Sequence, residues 1–180
     1  MTTVSASDDA RACGRGGSQR WSAVCPNERR LGELGARLAS LLQPGDVVAL
    51  TGELGSGKTA FVRAVAAALD VPPECVSSPT FVLVQEYEGR LPLVHVDTYR
   101  LKDPGLFGDL GVEELFAEDG PAVVMIEWAD RVRNWLPADC LWVELEVLPD
   151  EARRVTFSAG GPRSEHLMAR LRAAIADEAG

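Results

Sequence analysis

One stretch of the chain, residues 46–69, constrains the fold more than any other. It begins with DVVALTG, a short β-branched run closed by glycine, which is typical of a buried strand that leads into a tight loop. Beyond the loop, apolar residues recur at helical spacing until the segment DVPP ends the helix. These apolar residues are Phe61, Val62, Val65, Ala68 and Leu69. The stretch therefore predicts a strand, a loop and a helix in immediate succession.

The loop itself has the spacing of a phosphate-binding loop. Its sequence GELGSGKT matches GxxxxGK[ST] between a predicted strand and a predicted helix, which is the context the pattern requires. Glycines allow main-chain N–H groups to face a β-phosphate, and the helix N-terminus adds partial positive charge. Lys58 supplies a charge for the β- and γ-phosphates, and the Thr59 hydroxyl can bind Mg²⁺. The alternative, a glycine-rich surface turn, is disfavoured by this context. The predicted nucleotide-binding residues are Gly52, Glu53, Leu54, Gly55, Ser56, Gly57, Lys58, Thr59 and Ala60.

Two further strands are predicted to end in acids. Asp97 follows LVHV and Glu127 follows VVMI. Ligands of parallel α/β sheets lie beyond the carboxyl ends of the strands, so both acids are placed at the predicted site. Each alone could equally be a solvated strand end, but a phosphate loop needs at least one acid for its metal. The segment SSPTF presents Thr80 before a strand, although a simple turn explains that segment equally well.

The remaining pattern predicts a three-layer α/β domain with the P-loop nucleoside triphosphatase fold. Asn27 is a plausible N-cap for a first helix that ends at QPGD. TFVLVQEY and LPLVHVD predict a hairpin or neighbouring strands, and PAVVMIEW predicts a buried strand. A short helical piece is expected over 112–116, and a closing helix over 164–178. We expect a mainly parallel sheet with an antiparallel C-terminal hairpin formed by DCLWVELEVLP and RRVTFSA.

The N-terminal segment lacks this periodicity. Residues 1–25 are rich in Ser, Gly, Ala and charge, which predicts a flexible leader with Trp21 at most loosely docked. Order is expected to begin near Asn27, with residues 26–180 forming one ATPase domain.

Charge and cysteine content exclude several classes of function. The net charge of −9 disfavours direct binding of nucleic acid, because the average surface repels phosphates. The cysteines form no CxxC pair and no zinc-type spacing; they are Cys13, Cys25, Cys75 and Cys140. No apolar run is long enough to cross a bilayer, and no signal peptide is recognisable, so a cytoplasmic protein is expected.

Strand alternation places His95 opposite Val94 and Val96 as a half-buried, hydrogen-bonded histidine, and His166 is expected to face solvent.

Taken together, four motifs point to a family. GELGSGKT, SSPTF, HVDTYRL and IEWADR, in this order and spacing, resemble the bacterial TsaE family, the ATPase of tRNA threonylcarbamoyladenosine biosynthesis. The resemblance covers about residues 28–157 and is far more specific than the phosphate loop alone. The leader and the last helix lie outside it.

The resemblance implies ligands, partners and roles. It implies an ATPase that uses ATP and Mg²⁺ and works with TsaD and TsaB, the proteins that attach threonylcarbamoyl to the adenosine beside the tRNA anticodon. The tRNA is thus modified through the complex, and the ATPase does not make the transfer. Thr59 and Glu127 inherit the Mg²⁺-binding roles, while Lys58, Asp97 and Thr80 inherit catalytic and switch roles. Many members have two threonines after the lysine, whereas Ala60 stands second here, which removes a secondary phosphate hydroxyl.

Some roles stay open on the sequence alone. Asp97 could order the attacking water directly or through the metal's ligand shell. Tyr99 and Arg100 are interpreted as partner or switch contacts, or as ordinary surface residues. Trp128 either packs beside the nucleotide or plugs the sheet edge.

Three other functions compete with this interpretation. A small-molecule kinase would use the same loop with lid arginines, for which Arg131 and Arg133 are candidates. A GTPase is disfavoured because no NKxD-like run is present. A nucleotide-dependent binding module, in which hydrolysis only resets a partner, overlaps the role of the family.

Overall fold

A computed structural model describes residues 20–72, 75–76, 84–117 and 120–177 of the protein. The predicted SSPTF segment with Thr80, and residues 1–19 with Cys13, lie outside this part of the chain. The strands are β1 (Arg20–Cys25), β2 (Val47–Thr51), β3 (Val84–Tyr87), β4 (Leu93–Asp97), β5 (Val123–Glu127), β6 (Leu141–Val147) and β7 (Arg153–Ala159). The α-helices are α1 (Glu28–Ala39), α2 (Lys58–Ala68), α3 (Val112–Leu115) and α4 (Pro162–Ala176), with 3₁₀ helices at Pro104–Leu110 and Ala129–Trp135.

Across the described residues, the strands form a single sheet in the order β1-β7-β6-β2-β5-β4-β3. The four central strands are parallel, since β2 pairs in parallel with both β5 and β6, and β4 pairs in parallel with β5. The strands at both edges are antiparallel: β3 pairs with β4, β7 with β6, and β1 with β7. The predicted parallel centre and antiparallel C-terminal hairpin are therefore confirmed, and the carboxyl ends of β2, β4 and β5 meet at one edge.

Each face of the sheet has its own core. On one face, α1, α2 and α4 pack their apolar residues against alternate residues of the strands, such as Val48, Leu50 and Met125. On the other face, the 3₁₀ helices and α3 cover residues of opposite parity, such as Val96 and Ile126. This two-sided cover is the predicted three-layer arrangement, and it explains why the central strands are almost continuously apolar.

Helix α1 begins as predicted at Asn27. The side chain of Asn27 accepts a hydrogen bond from the main-chain N–H of Arg30 at 3.0 Å, which satisfies one of the free N–H groups of the first turn. Leu31, Leu34 and Leu38 on its inner face are buried. The helix therefore starts and packs where the leucine spacing indicates.

The prediction that order begins near Asn27 is wrong for residues 20–25. These residues form β1, which pairs with β7 in the register Trp21 with Phe157 and Cys25 with Arg153. Trp21 is only 7% exposed and stacks on Phe157 with ring centroids 5.3 Å apart. The strand was missed because its partner lies more than a hundred residues away, and pairing rather than local periodicity stabilises it.

Helix α4 is held at its start by a carboxylate from the loop before β6. Asp139 accepts hydrogen bonds from the N–H groups of Arg163 (2.8 Å) and Ser164 (2.9 Å), and from the Ser164 hydroxyl (2.6 Å). These contacts satisfy donors that a helix N-terminus leaves unpaired. Leu167, Met168 and Leu171 are buried on the inner face of α4, as their spacing predicts, and His166 is exposed. No helix of the described residues has the length and apolar character of a membrane span.

Candidate functional site

The phosphate loop follows β2 and turns directly into α2. Gly52 (φ 135°) and Gly57 (φ 106°) both have backbone angles in the region that favours glycine. A Cβ atom on Gly52 would lie 2.3 Å from the Leu145 carbonyl oxygen, so no larger residue fits. Gly57 is the residue before the helix, and its carbonyl accepts the first helical hydrogen bond from Phe61 at 2.8 Å. The strand–loop–helix unit is therefore folded as the motif requires.

Lys58 lies inside the loop rather than on the surface. Its side chain is 4% exposed, and Nζ donates to the carbonyls of Gly52 (2.7 Å) and Glu53 (2.8 Å) and to Ser56 Oγ (3.4 Å). Burial lowers the pKa of Lys58, while the carboxylates of Glu127, Asp97 and Asp130 oppose that shift. The ammonium is thus placed at the centre of the loop, among acids that favour its charged form.

Glu127 is the residue on which the site converges. It ends β5, is 2% exposed, and has a side-chain partner within hydrogen-bond distance at each carboxylate oxygen. The Thr59 hydroxyl donates to Oε2 at 2.9 Å, and His95 Nε2 lies 2.9 Å from Oε1. Thr59 is in the first turn of α2, whereas His95 is on the neighbouring strand β4. The structure thus joins the phosphate loop to the end of β5 by a direct side-chain contact.

Asp97 ends β4 beside this carboxylate. It pairs with Glu127 in the register of the two parallel strands, so both acids emerge at the same edge and on the same face. Asp97 is 6% exposed and its Oδ1 accepts from the N–H of Tyr99 at 2.9 Å. Thr98 ties the two strand ends together, because its hydroxyl contacts the carbonyls of Glu127 (3.1 Å) and Trp128 (2.8 Å). Both acids lie at strand ends, as predicted. Thr98 was not predicted, because its signal in the sequence is no more than its position after a strand-end acid.

Trp128 borders the loop. Lys58 Nζ lies 3.8 Å from the centroid of the Trp128 ring, a cation–π distance, and the Tyr99 ring lies 4.9 Å away on centroids. The backbone of Trp128 is left-handed (φ 58°, ψ 38°), which is uncommon for a bulky residue. With Gly52 and Glu53, Trp128 also lines a groove of about 880 Å³. Trp128 therefore lies against the phosphate loop, and its packing beside a nucleotide stays a prediction.

The two candidate lid arginines are engaged with their own chain. Arg131 donates to the carbonyls of Tyr99 and Leu101, the latter at 2.6 Å. The Arg133 guanidinium lies 4.2 Å from the centroid of the Trp142 ring. These contacts fasten the 3₁₀ helix after β5 to its surroundings, which is a structural use of both side chains.

The C-terminal hairpin supports the loop from the other side. Arg153, the first residue of β7, donates from Nε to the carbonyl of Ser56 at 3.1 Å. The Leu145 carbonyl of β6 sits against Gly52, as described above, and Ser56 itself is buried. The β6–β7 hairpin therefore packs directly against the loop that leads into α2. Spacing along the chain does not reveal this contact.

The donor set at Glu127 fits Mg²⁺. Mg²⁺ prefers oxygen ligands and is commonly held by one or two carboxylates, with substrate phosphates and water completing its shell. The Thr59 hydroxyl and the Glu127 carboxylate meet beside the loop and are such oxygens. Among the residues that the structure describes, no group of three or more His, Cys, Asp and Glu is arranged to hold a metal without such additional ligands. In the same part of the chain the cysteines are free, with Cys25 and Cys140 buried and Cys75 exposed.

Comparison with known proteins gives a consistent set of similarities. The family model described as "Threonylcarbamoyl adenosine biosynthesis protein TsaE" matches residues 25–155. Several relatives carry the name tRNA threonylcarbamoyladenosine biosynthesis protein TsaE, among them one from Bacillus subtilis and one from Treponema pallidum. The one from Bacillus subtilis (strain 168) is 38% identical over 153 residues, covering 84% of this chain and 92% of its own. The one from Treponema pallidum (strain Nichols) is 42% identical over 124 residues, covering 69% and 90%.

A solved structure is similar over nearly its whole length. The crystal structure of YdiB from Bacillus subtilis aligns with a TM-score of 0.74 and 31% sequence identity, covering 88% of this chain and 97% of that one. The fold described above is thus shared with an experimentally determined protein.

Proposed function

The chain belongs to the TsaE family, and we propose that it binds ATP at the phosphate loop and hydrolyses it with Mg²⁺ to ADP and phosphate. By this activity it supports formation of the threonylcarbamoyl modification on the adenosine beside the tRNA anticodon. We infer that it does so together with TsaB and TsaD, in the cytoplasm where tRNA and ATP are available. The strongly negative net charge suits an ATPase that acts through partner proteins rather than by gripping tRNA itself.

One observation carries this proposal: the 2.9 Å contact between Thr59 of the loop and Glu127 at the end of β5. The contact brings two Mg²⁺-type ligands together next to Lys58 and the loop N–H groups. Thr59 and Glu127 would hold the metal, which supplies charge neutralisation on the phosphates when it is bound. A glycine-rich surface turn would leave both side chains without reason to meet.

The residues of the chain divide the remaining work. The loop N–H groups and Lys58 bind the β- and γ-phosphates and stabilise negative charge as the bond from the γ-phosphorus to the bridging oxygen breaks. Asp97, in register with Glu127, orients the water whose oxygen bonds to that phosphorus. Phosphoryl transfer to water needs positioning and charge more than covalent participation. The catalytic or switch role predicted for Thr80 remains a proposal because Thr80 lies outside the described residues.

The test is phosphate release from ATP by the purified protein, with no acceptor molecule, alone and with TsaB and TsaD. We expect release that the partners increase and that Lys58→Ala reduces by about 10²–10³-fold, because one charged transition-state contact is lost. Arg63→Ala is the control and should retain activity, because Arg63 is on the same helix but donates to the Val76 carbonyl at 3.1 Å rather than to the loop. Strict dependence on a small-molecule acceptor would instead support the kinase interpretation, which the engaged contacts of Arg131 and Arg133 disfavour.

A further inference from the structure

We propose that His95 is a positioning residue, which holds the carboxylate of Glu127 in the orientation that Mg²⁺ binding requires. This role rests on the proposed function of Glu127 as a metal ligand and goes beyond it. From the sequence, His95 was expected to be a half-buried, hydrogen-bonded residue without a functional role. The positioning role is supported by burial, distance and hydrogen-bond accounting at a single pair of side chains.

The His95–Glu127 contact is fully enclosed. His95 is 0% exposed and Glu127 is 2% exposed, and His95 Nε2 lies 2.9 Å from Glu127 Oε1. The prediction that His95 faces away from Val94 and Val96 is confirmed, but it is completely buried rather than half-buried. A contact of this length between two buried side chains is strong and geometrically restrictive.

Hydrogen-bond accounting fixes the direction of this contact. An ionised carboxylate only accepts hydrogen bonds, so the proton between the two groups belongs to His95 Nε2. The other ring nitrogen, Nδ1, is buried and has no partner among the described residues. A buried polar atom without a partner is energetically unfavourable, so an apolar residue would serve better if packing were the only role of the position. The benefit of a histidine here therefore lies in what Nε2 donates.

That donation leaves one carboxylate oxygen for the loop. Oε1 is fixed by His95, while Oε2 is the oxygen that Thr59 contacts at 2.9 Å. His95 and Glu127 sit on the adjacent parallel strands β4 and β5, whose backbones are held by regular pairing. A ring that projects from a buried strand cannot follow a rotating carboxylate, so it restricts Glu127 to one orientation. Residues that orient a metal ligand in this way typically contribute a factor of 10 to 100 to metal affinity.

The experiment compares two polar replacements of His95. His95→Gln places its amide nitrogen near the position of Nε2, whereas His95→Asn reaches only the position of Nδ1 and loses the donor to Glu127. Each variant is titrated with a non-hydrolysable ATP analogue at increasing Mg²⁺, and again in EDTA. We expect His95→Asn to raise the Mg²⁺ concentration for half-maximal binding by about 10- to 100-fold, with His95→Gln much closer to the wild type and binding in EDTA equal for all three.

Controls separate positioning from folding. In a Glu127→Gln background, His95→Asn should cause no further increase in the Mg²⁺ requirement, because the positioned carboxylate is gone. A long-range ¹H–¹⁵N spectrum of the wild type without metal should show the His95 proton on Nε2. The inference is overturned if the proton is on Nδ1, if both variants require Mg²⁺ like the wild type, or if both lose binding equally in EDTA. A wild type that binds ATP without any Mg²⁺ dependence would overturn the role of Glu127 itself, which distinguishes failure of the proposed function from failure of this inference.

Discussion

Two helices of this protein begin beside a carboxylate, and the two carboxylates are used differently. At the start of α4, Asp139 accepts two main-chain N–H groups and the Ser164 hydroxyl. At the start of α2, the partners of Glu127 within the described part of the chain are side chains, the hydroxyl of Thr59 and the ring of His95. Both acids reach their helix from another element, and both lie near a hydroxyl in its first turns.

The two carboxylates differ in whether their hydrogen-bond donors can reorient. The main-chain N–H groups of a helix have a fixed direction, so Asp139 caps α4 permanently and contributes to stability. The Thr59 hydroxyl can rotate, so the same oxygen of Glu127 can exchange its proton donor for a cation. Glu127, whose described partners are side chains, lies beside the phosphate loop, whereas Asp139 accepts from the backbone of α4. This contrast predicts a functional role for Glu127 and a structural role for Asp139. Three changes test it.

The largest effect is expected from Glu127→Gln. The amide keeps the size of the side chain and can still accept from His95, but it removes the charge that we propose binds Mg²⁺. We expect Mg²⁺-dependent affinity for ATP and the rate of phosphate release to fall by about 100-fold, while the melting temperature changes little. Isothermal titration with and without Mg²⁺, together with a phosphate-release assay, measures this. An unchanged Mg²⁺ dependence would contradict the functional half of the comparison.

A smaller effect is expected from Asp139→Ala, which should reduce stability and leave activity unchanged. Removing the cap should lower the free energy of unfolding by about 1 kcal/mol, in the range measured for helix caps, because the N–H groups of Arg163 and Ser164 lose their acceptor. ATP hydrolysis at saturating nucleotide should remain at the wild-type rate. Urea denaturation gives the free energy, and Asp139→Asn, which keeps acceptor oxygen, is the control and should lose less. A loss of hydrolysis without loss of stability would reverse the roles of the two acids.

The smallest effect is a dependence on pH. Burial raises the pKa of Asp139, but hydrogen bonds from Ser164 and Arg163 outweigh this, so its pKa in the folded protein is below the ordinary value of 3.8. The stabilisation is thus complete above the unfolded value and is lost as pH falls through the folded pKa. The difference in unfolding free energy between wild type and Asp139→Asn should shrink on acidification from pH 5 to pH 3, measured by urea denaturation at each pH. A difference that grows on acidification would be incompatible with this sign.

Features that are determined by residues close together in the sequence could be predicted. The strand, loop and helix around Lys58 were predicted because neighbours along the chain determine them. The acids at the ends of β4 and β5 were predicted because a run of apolar residues ending in an acid marks a strand end. The alternation of side chains along a strand predicted the face of the sheet on which His95 lies.

Contacts between distant segments could not be predicted in the same way. The partner of His95 is 32 residues away, and that of Ser164 is 25 residues away on a loop without periodicity. Strand β1 has the sequence RWSAVC, a short mixture of polar and apolar residues without clear alternation, and its pairing with β7 stabilises it as a strand. In each case tertiary pairing, rather than local preference, determines the outcome.

The link from Arg153 to Ser56 has a consequence for biosynthesis of the protein. The two residues are 97 positions apart, so a chain emerging from the ribosome carries the whole glycine motif long before the hairpin that supports it. Domains generally fold as units during synthesis, so we expect the proposed phosphate-binding loop to reach its final structure only after β7 has left the ribosome. Nascent chains that stop short of Arg153 should therefore be poor nucleotide binders even though every motif residue is present.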